Sequence, residues 1–288
     1  MEKSFYDIVK SLSWQEVTDS IYSKTENDVI KALSKKYLDI EDFKALVSPK
    51  AEKYLEQMAF MSRNITQKRF GKVMQFYIPM YLSNECSNHC IYCGFNHNNQ
   101  IGRITLSDEQ ILEEIKAIKA MGYDNVLLLT GENHKNAGVS YIENAIKLCR
   151  PYFSAINLEV FPMKTEEYER LIQAGANSVY VYQETYNESR YKYYHPKGMK
   201  SNYLYRLECP ERLAKAGIHR VGMGALIGLE EWRTEMLFLA MHLQFMRKNY
   251  WKKLLVSMTL VASMLIGVAG CGGDTTGDAT PTQGATSG

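Results

Sequence analysis

The sequence lacks an excess of charge of either sign. It has 34 Lys and Arg against 32 Asp and Glu, which gives a formal net charge of +2 over 288 residues. This balance offers no electrostatic reason to expect nucleic-acid binding. Residues 1–19 mix charged and polar side chains, so no apolar signal peptide is apparent there. We therefore expect a cytoplasmic protein without a nucleic-acid partner, whose cysteines stay reduced and available to a metal.

Aromatic side chains are absent from the end of the chain. All 10 Phe, 3 Trp and 20 Tyr lie in residues 1–251, whereas residues 252–288 hold 7 of the 19 glycines. Glycine in turn is absent before Gly71, in a stretch rich in Lys, Glu and Leu with helical spacing of apolar residues. The overall composition, 45% hydrophobic and 23% charged, excludes wholesale disorder, collagen and coiled coil. We expect an N-terminal helical region at 1–72, a main domain at 73–251 and a separate tail at 252–288.

Strands and helices are predicted to alternate along the main domain. The expected strands are 73–82, 125–130, 156–160, 178–184 and 220–226. The expected helices are 107–120, 139–149, 165–174, 210–216 and 230–251. Apolar strands alternating with helices indicate an α/β fold with a parallel sheet covered on its faces. Five such units fall short of the eight of a complete barrel, so a partial (β/α) barrel is predicted.

Three of the six cysteines stand directly after the first predicted strand, in the pattern Cys86-x-x-x-Cys90-x-x-Cys93. Three thiolates in one loop can hold three corners of a cubane iron–sulfur cluster, with the fourth iron open to another ligand. A zinc site is the alternative, since His89 or His97 could complete the ligand set. The spacing favours the cluster, because structural zinc sites commonly use two separated pairs of ligands.

These motifs resemble those of the radical S-adenosylmethionine (SAM) superfamily. The cysteine pattern carries an aromatic residue, Tyr92, before its last cysteine. The second predicted strand ends in Thr130-Gly131-Glu132, which is similar to the glycine-and-glutamate element of that superfamily. The resemblance implies a radical SAM barrel with a [4Fe–4S] cluster whose open iron binds the amino and carboxylate groups of SAM.

Further stretches resemble one family within this superfamily, the tyrosine lyases of thiamin biosynthesis, or 2-iminoacetate synthases. They occur in family order at residues 84–95, 127–132, 181–186, 205–208, 217–218, 224–229 and 232–233. The resemblance covers residues 5–251 and implies cleavage of the Cα–Cβ bond of L-tyrosine to 2-iminoacetate and p-cresol. It also implies thiazole synthase as the consumer of 2-iminoacetate, and a flavodoxin- or ferredoxin-type reductant. A related lyase of hydrogenase maturation shares several motifs but carries a second cluster, for which no cysteine pattern occurs here.

The resemblance assigns roles to individual residues. It implies that the cluster ligands are Cys86, Cys90 and Cys93. The implied SAM contacts are Tyr92 near the adenine, Thr130, Gly131 and Glu132 at the ammonium group, Glu184 and Arg206 at the aminoacyl end, and Glu159. Gln183 and Tyr186 are expected to line the substrate pocket. Other interpretations stay open, since Arg206 could form a surface pair with Glu208, Tyr186 could serve packing, and His195 is expected to shape a loop.

The tail does not fit this family, whose members continue into a sixth strand. Lys252 and Lys253 precede a charge-free run at 254–270, which ends in Val268-Ala269-Gly270-Cys271. This order is similar to a bacterial lipoprotein signal, although such signals stand at N-termini. We favour a fusion of a truncated lyase to the start of an unrelated lipoprotein, with disorder after residue 271. A genuine membrane anchor and a sixth barrel element are the alternatives.

The missing strands bear on the expected activity. Later strands of the barrel supply part of the tyrosine pocket in this family, so tyrosine positioning is expected to be incomplete, and the chain could be inactive. The alternative function is a membrane-tethered fragment, or one that binds an iron–sulfur cluster or zinc, without lyase activity. A membrane location is expected only if residues 252–271 act as an anchor.

Overall fold

The computed structural model describes residues 4–250 of the chain. Its first part is helical, with α1 (Phe5–Lys10), α2 (Trp14–Tyr22), α3 (Glu26–Ser34), α4 (Ile40–Val47), a 3-10 helix (Pro49–Tyr54) and α5 (Leu55–Phe70). The first four helices begin at residues whose side-chain oxygens accept backbone N–H groups of the first turn, namely Ser4, Ser13, Thr25 and Asp39. The predicted N-terminal helical region is confirmed.

Five parallel strands follow, in the sheet order β1-β2-β3-β4-β5. They are β1 (Ile78–Ser83), β2 (Asn125–Thr130), β3 (Ala155–Glu159), β4 (Ser178–Tyr180) and β5 (Arg220–Gly222). The intervening and following helices are α6 (Asp108–Ala120), α7 (Val139–Cys149), α8 (Thr165–Ala174), α9 (Glu188–Tyr194), a 3-10 helix (Met199–Ser201), α10 (Tyr203–Leu207), α11 (Cys209–Ala216) and α12 (Trp232–Tyr250). The predicted α/β fold with five β/α units is confirmed.

Three of the predicted strands differ in length from the observed ones. The segment 73–77 is extended but unpaired, and Val73 and Met74 are 83% and 74% exposed, so β1 begins only at Ile78. β4 and β5 end as regular strands at Tyr180 and Gly222. Beyond these two residues the segments still pair, but irregularly: the Gln183 N–H donates to the carbonyl of Gly224 at 2.9 Å.

The main hydrophobic core lies between the sheet and its helices, and the N-terminal region takes part in it. Phe5 and Val9 of α1 and Val17 and Ile21 of α2 belong to the same buried cluster as the sheet residues. A second, smaller cluster joins α3, α4, the first 3-10 helix and α5. The domain boundary at residue 72 stays a prediction, since the first two helices share their core with the sheet.

Within residues 4–250, no helix is both long and apolar enough to cross a membrane. The interpretations of the tail at 252–288 lie outside the described residues.

Candidate active site

The loop that follows β1 carries Cys86, Cys90 and Cys93 and is called the cysteine loop below. One arginine, Arg103, holds it in shape. The Arg103 guanidinium donates hydrogen bonds to the carbonyl oxygens of Asn84 (2.8 Å), Phe95 (3.0 Å), Asn96 (2.7 Å) and Asn99 (3.2 Å). The amide of Asn96 also donates to the Cys90 carbonyl at 2.9 Å. The guanidinium therefore ties the two ends of the loop together, as suits a planar fork of several N–H donors, and Asn96 ties the end of the loop to its middle.

The three cysteines of this loop are unpaired thiols at different depths. Cys90 is buried, whereas Cys86 and Cys93 are half-buried. Burial raises the pKa of Cys90 to about 11, while the charge of Lys200 acts in the opposite direction. In the part of the chain that the structure describes, no three His, Cys, Asp or Glu side chains are gathered as ligands of a single metal ion would be.

The end of β2 packs directly against the cysteine loop. A side chain at Gly131 would place its Cβ 2.3 Å from the Glu85 carbonyl oxygen, so only glycine allows this approach. The Glu132 carboxylate accepts a hydrogen bond of 2.6 Å from the Asn88 amide and lies 3.5 Å from His134 Nε2. The Thr130 hydroxyl is buried and has no partner. All three residues predicted from the glycine-and-glutamate element thus lie beside the loop, and one buried polar atom there is free to meet a ligand.

Glu184 forms a buried ion cluster at the end of β4. Its carboxylate Oε1 lies 2.7 Å from Lys200 Nζ and 3.4 Å from Arg206 Nη2. The Arg206 Nε donates to the Tyr182 carbonyl at 2.6 Å. Burial alone would raise the pKa of Glu184, but the two cations outweigh burial and hold that pKa below its ordinary value. Arg206 is 8% exposed, so the alternative of a surface pair with Glu208 is wrong.

The backbone of Glu184 is also unusual. Its φ of 72° places it in the left-handed region, where it is the sole non-glycine residue among residues 4–250. This conformation costs free energy for a residue with a Cβ and persists only where surrounding contacts hold it. Such strain is typical of residues at functional sites.

Tyr92 is anchored by a histidine from the end of α9. The Tyr92 hydroxyl lies 2.7 Å from His195 Nε2, and His195 Nδ1 lies 2.9 Å from the Tyr191 carbonyl. Because a carbonyl can only accept, Nδ1 carries the proton and Nε2 accepts from Tyr92. Burial lowers the pKa of His195 to about 4, so the ring is neutral. His195 therefore shapes the loop, as expected, and does so by fixing Tyr92.

Glu159 and Gln183 lie in different surroundings. Glu159, at the end of β3, is half-buried, and burial together with the charge of Glu184 raises the pKa of its carboxyl group. Gln183 is 4% exposed, and both polar atoms of its amide lack partners. It lines a small pocket with Tyr186, Leu207, Met223 and His242. Arg206, one of the implied SAM contacts, lines the same pocket.

Tyr186 is part of the hydrophobic core. It is 2% exposed, and its hydroxyl lies 3.0 Å from His242 Nδ1 of α12. Its ring meets Phe5 edge-on at 6.2 Å and stacks with Phe238 at 6.1 Å. The structure does not bring Gln183 and Tyr186 together with the cysteine loop, and these contacts favour the packing interpretation of Tyr186.

Three residues of this region escaped the sequence reasoning, namely Asn88, Arg103 and Lys200. Asn88 stands between two of the cysteines, and this position is the one signal that could have pointed to it. Arg103 and Lys200 occupy unremarkable sequence contexts, and only the folded chain brings them to the loop and to Glu184.

The parallel sheet, the loop with three thiols and the acidic residues at the neighbouring strand ends define an enzyme class. The sequence model of the radical SAM superfamily matches residues 80–240, and the chain belongs to that superfamily. Within it, the chain is 43% identical over 251 residues to 2-iminoacetate synthase of Escherichia coli strain K12, covering 87% of this chain and 67% of that protein.

Solved structures of the same superfamily resemble the fold. HydG, a maturase of the [FeFe]-hydrogenase, superposes with a TM-score of 0.78 at 27% identity, covering 82% of this chain and 54% of HydG. HydG from Carboxydothermus hydrogenoformans gives a TM-score of 0.71 at 30% identity, covering 85% of this chain and 57% of its own. The chain thus spans about two thirds of 2-iminoacetate synthase and little more than half of HydG.

The predictions of a radical SAM enzyme related to 2-iminoacetate synthase are therefore confirmed, as are the predicted cofactors, a [4Fe–4S] cluster and SAM.

Proposed function

We propose that this chain acts as a radical SAM lyase that cleaves the Cα–Cβ bond of L-tyrosine to 2-iminoacetate and p-cresol. The observation that carries the proposal is the convergence of the cysteine loop with the ends of β2 and β4, on a chain 43% identical to 2-iminoacetate synthase. Asn88 of the loop bonds both to Glu132 and to the backbone of Lys200, whose side chain meets Glu184.

The residues present fit the two cofactors. In this proposal the thiols of Cys86, Cys90 and Cys93 bind three irons, as three soft thiolate donors suit an iron–sulfur cluster. The buried, unpartnered hydroxyl of Thr130 next to the loop supports a polar ligand there. The implied SAM contacts are Tyr92, Thr130, Gly131, Glu132, Glu159, Glu184 and Arg206. When bound, the reduced cluster and SAM supply the radical that starts the cleavage of tyrosine.

The chain's own task is to orient the cofactor and to exclude water. Gly131 lets the end of β2 approach the loop closely. The Asn88 amide donates to the Glu132 carboxylate and so orients it before the ammonium group of SAM binds. Arg206 is buried and always charged, and it presents a fork of donors suited to a carboxylate. Such fixed polar groups in a buried site need little reorganisation when the reaction begins.

The substrate and the partners belong to the same proposal. L-Tyrosine is the proposed substrate, thiazole synthase the proposed consumer of 2-iminoacetate, and a flavodoxin- or ferredoxin-type protein the proposed reductant, in the cytoplasm. That Gln183 and Tyr186 contact the substrate stays a prediction. Tyr186 bonds to His242 of α12, and Gln183 lines a pocket with the same histidine; neither observation supports a role in substrate binding.

Anaerobic reconstitution with iron and sulfide tests the cluster. We expect a brown protein with about four irons per chain, since a cubane cluster contains four. Cys86→Ala should lower iron uptake strongly, because it removes one of only three thiolate ligands. Cys149→Ala is the matched control, since that thiol is buried in α7 away from the loop and should leave the iron content unchanged. Equal iron uptake by all three proteins would contradict the cluster assignment.

Product analysis tests the reaction. With SAM, a reductant and tyrosine, the loaded protein should release 5′-deoxyadenosine and p-cresol in parallel. Deoxyadenosine without p-cresol would disprove the lyase activity while leaving the cofactor site intact. Zinc instead of iron in the protein as isolated, and no iron after reconstitution, would favour the alternative of a zinc-binding fragment.

A further inference from the structure

The 3-10 helix Met199–Ser201 docks onto the cysteine loop through its backbone. The Lys200 N–H donates to Asn88 Oδ1 at 2.9 Å, and the His89 N–H donates to the Lys197 carbonyl at 3.0 Å. Gly198 makes this possible: its φ is 97°, and a Cβ there would lie 2.3 Å from Asn88 Oδ1. The backbone of Lys200 is therefore placed by the loop that carries the cysteines.

The side chain of Lys200 turns from there to two residues of the proposed SAM site. Its Nζ lies 2.7 Å from Glu184 Oε1 and 5.6 Å from the centroid of the Tyr92 ring. The side chain is only 15% exposed. An ammonium group loses hydration free energy when it is buried, so this position needs compensation from its contacts.

Charge balance alone does not account for Lys200, because Arg206 already offers Glu184 a positive charge. Arg206 is 3.4 Å from the Glu184 carboxylate and donates its shorter bond, 2.6 Å, to the Tyr182 carbonyl. Lys200 makes the closer contact with Glu184. Charge-assisted hydrogen bonds near 2.7 Å are strong ones, so of the two contacts the one from Lys200 restrains the Glu184 carboxylate more.

We propose that Lys200 is a positioning residue of the SAM site: its ammonium group fixes the Glu184 carboxylate toward the cofactor, and its backbone ties that carboxylate to the cysteine loop. This inference rests on the proposed function, since Glu184 is there a SAM contact. Lys200 acts through Glu184 and does not itself touch the cofactor.

The test compares Lys200→Met and Lys200→Arg with the wild type after anaerobic reconstitution, with SAM binding measured by equilibrium dialysis. Lys200→Met keeps the apolar stem and removes the charge, so the iron content should be unchanged while the Kd for SAM rises about tenfold or more, the size expected for one charge-assisted hydrogen bond. Lys200→Arg keeps a cation and should restore the Kd to within about threefold. Lys192→Met, at an exposed position of α9, is the matched control and should bind SAM as the wild type does.

A double variant separates positioning from other roles. In a Glu184→Gln background, Lys200→Met should change the Kd for SAM by less than about twofold, because the group through which it acts is gone. A full additional tenfold loss in that background, or an unchanged Kd for Lys200→Met alone, overturns the proposal. If Lys200→Met does not fold, Lys200→Gln, which also removes the charge, takes its place in both backgrounds.

The outcomes also distinguish this inference from the proposed function. A wild type that binds no SAM refutes the cofactor site and the inference together. A wild type that binds SAM but forms no p-cresol refutes the lyase activity alone, and the role of Lys200 is then decided by the Kd values.

Discussion

Arg103 is the residue on which the shape of the cysteine loop depends. Its two terminal nitrogens reach four backbone carbonyls that span residues 84–99. A lysine carries the same charge but presents a single nitrogen, so it cannot reproduce a planar fork of donors.

We predict that Arg103→Lys lowers iron incorporation to less than about half of the wild-type value, because two or more carbonyls lose their donor and the thiols lose their common geometry. Iron and sulfide analysis after reconstitution measures this effect. Arg63→Lys, on the exposed face of α5, is the control and should take up iron normally. Full iron content in Arg103→Lys would show that the loop keeps its shape without the fork.

Short motifs and the family resemblance predicted site residues as far apart as Glu184 and Arg206, but missed Asn88, Arg103 and Lys200. The three cysteines form a local pattern whose chemistry follows from residue type and spacing, whereas the role of Thr130-Gly131-Glu132 follows from the resemblance to the superfamily. Lys200 and Arg103 could not be predicted, because their partners lie 16 and up to 19 positions away in irregular segments. No periodic pattern of residues in the sequence relates Lys200 or Arg103 to its partners.

At the scale of elements, α12 holds the turn after β4 through one buried carboxyl group. Glu235 is 0% exposed, and it accepts hydrogen bonds from the Thr185 hydroxyl and, at 2.9 Å, from the Tyr186 N–H. These bonds fix the two residues that directly follow the strained Glu184. Burial raises the pKa of Glu235 to about 7, although both hydrogen bonds act to lower it.

This raised pKa predicts a pH-dependent stability. The folded state favours the protonated Glu235, so its contribution is fully present below pH 4.5 and is lost as the pH rises through about 7. Glu235→Gln cannot ionise and should flatten this decline, with a gain in the free energy of unfolding at pH 8 of at most about 3 kcal/mol. Urea denaturation at pH 5, 6.5 and 8 measures it.

The control for this prediction is Glu114→Gln, at an exposed position of α6. It should lose stability with rising pH in parallel with the wild type. If Glu235→Gln also declines in parallel, the carboxyl group is not protonated by folding and the account of this contact is wrong.

Element bounds could be predicted where a local signal in the sequence marks them. The bounds of β2, α7 and α8 agree with the predicted ranges, because β2 is a continuous apolar run and a glycine follows α8. The ends of β4 and β5 could not be predicted, since the mostly apolar sequence continues past Tyr180 and Gly222, where the regular strands end. The helices α9 and α10 fell in a predicted connection, because their Tyr-rich sequences have no clear helical spacing of apolar and polar residues.

At the scale of the whole molecule, the N-terminal helix α1 closes the core next to α12. The ring of Phe5 is 0% exposed and stacks on His242 with centroids 4.0 Å apart and planes 1° from parallel. It also contacts Phe245 at 5.7 Å. The helix α1 therefore shares the main core with the sheet and α12.

We predict that Phe5→Ala lowers the free energy of unfolding by about 3 to 5 kcal/mol, because it leaves a cavity among aromatic rings that cannot collapse. Thermal and urea denaturation of the apoprotein measure this change. Phe60→Ala removes the same atoms from a side chain that is 62% exposed and should change stability by less than about 0.5 kcal/mol. Similar stabilities for the two variants would mean that α1 does not share the core.

Each strand of the sheet pairs with the strand that precedes it in the chain. During synthesis on the ribosome, an emerging strand therefore finds its partner already made, and loop closure between neighbours stays short. The first two helices are the exception, since Phe5 and Trp14 are synthesised first while their partners on α12, His242 and Phe238, follow more than 200 residues later. Until α12 has been translated, these aromatic rings lack their partners on it, and the nascent chain exposes apolar surface of the kind that makes folding intermediates prone to aggregation.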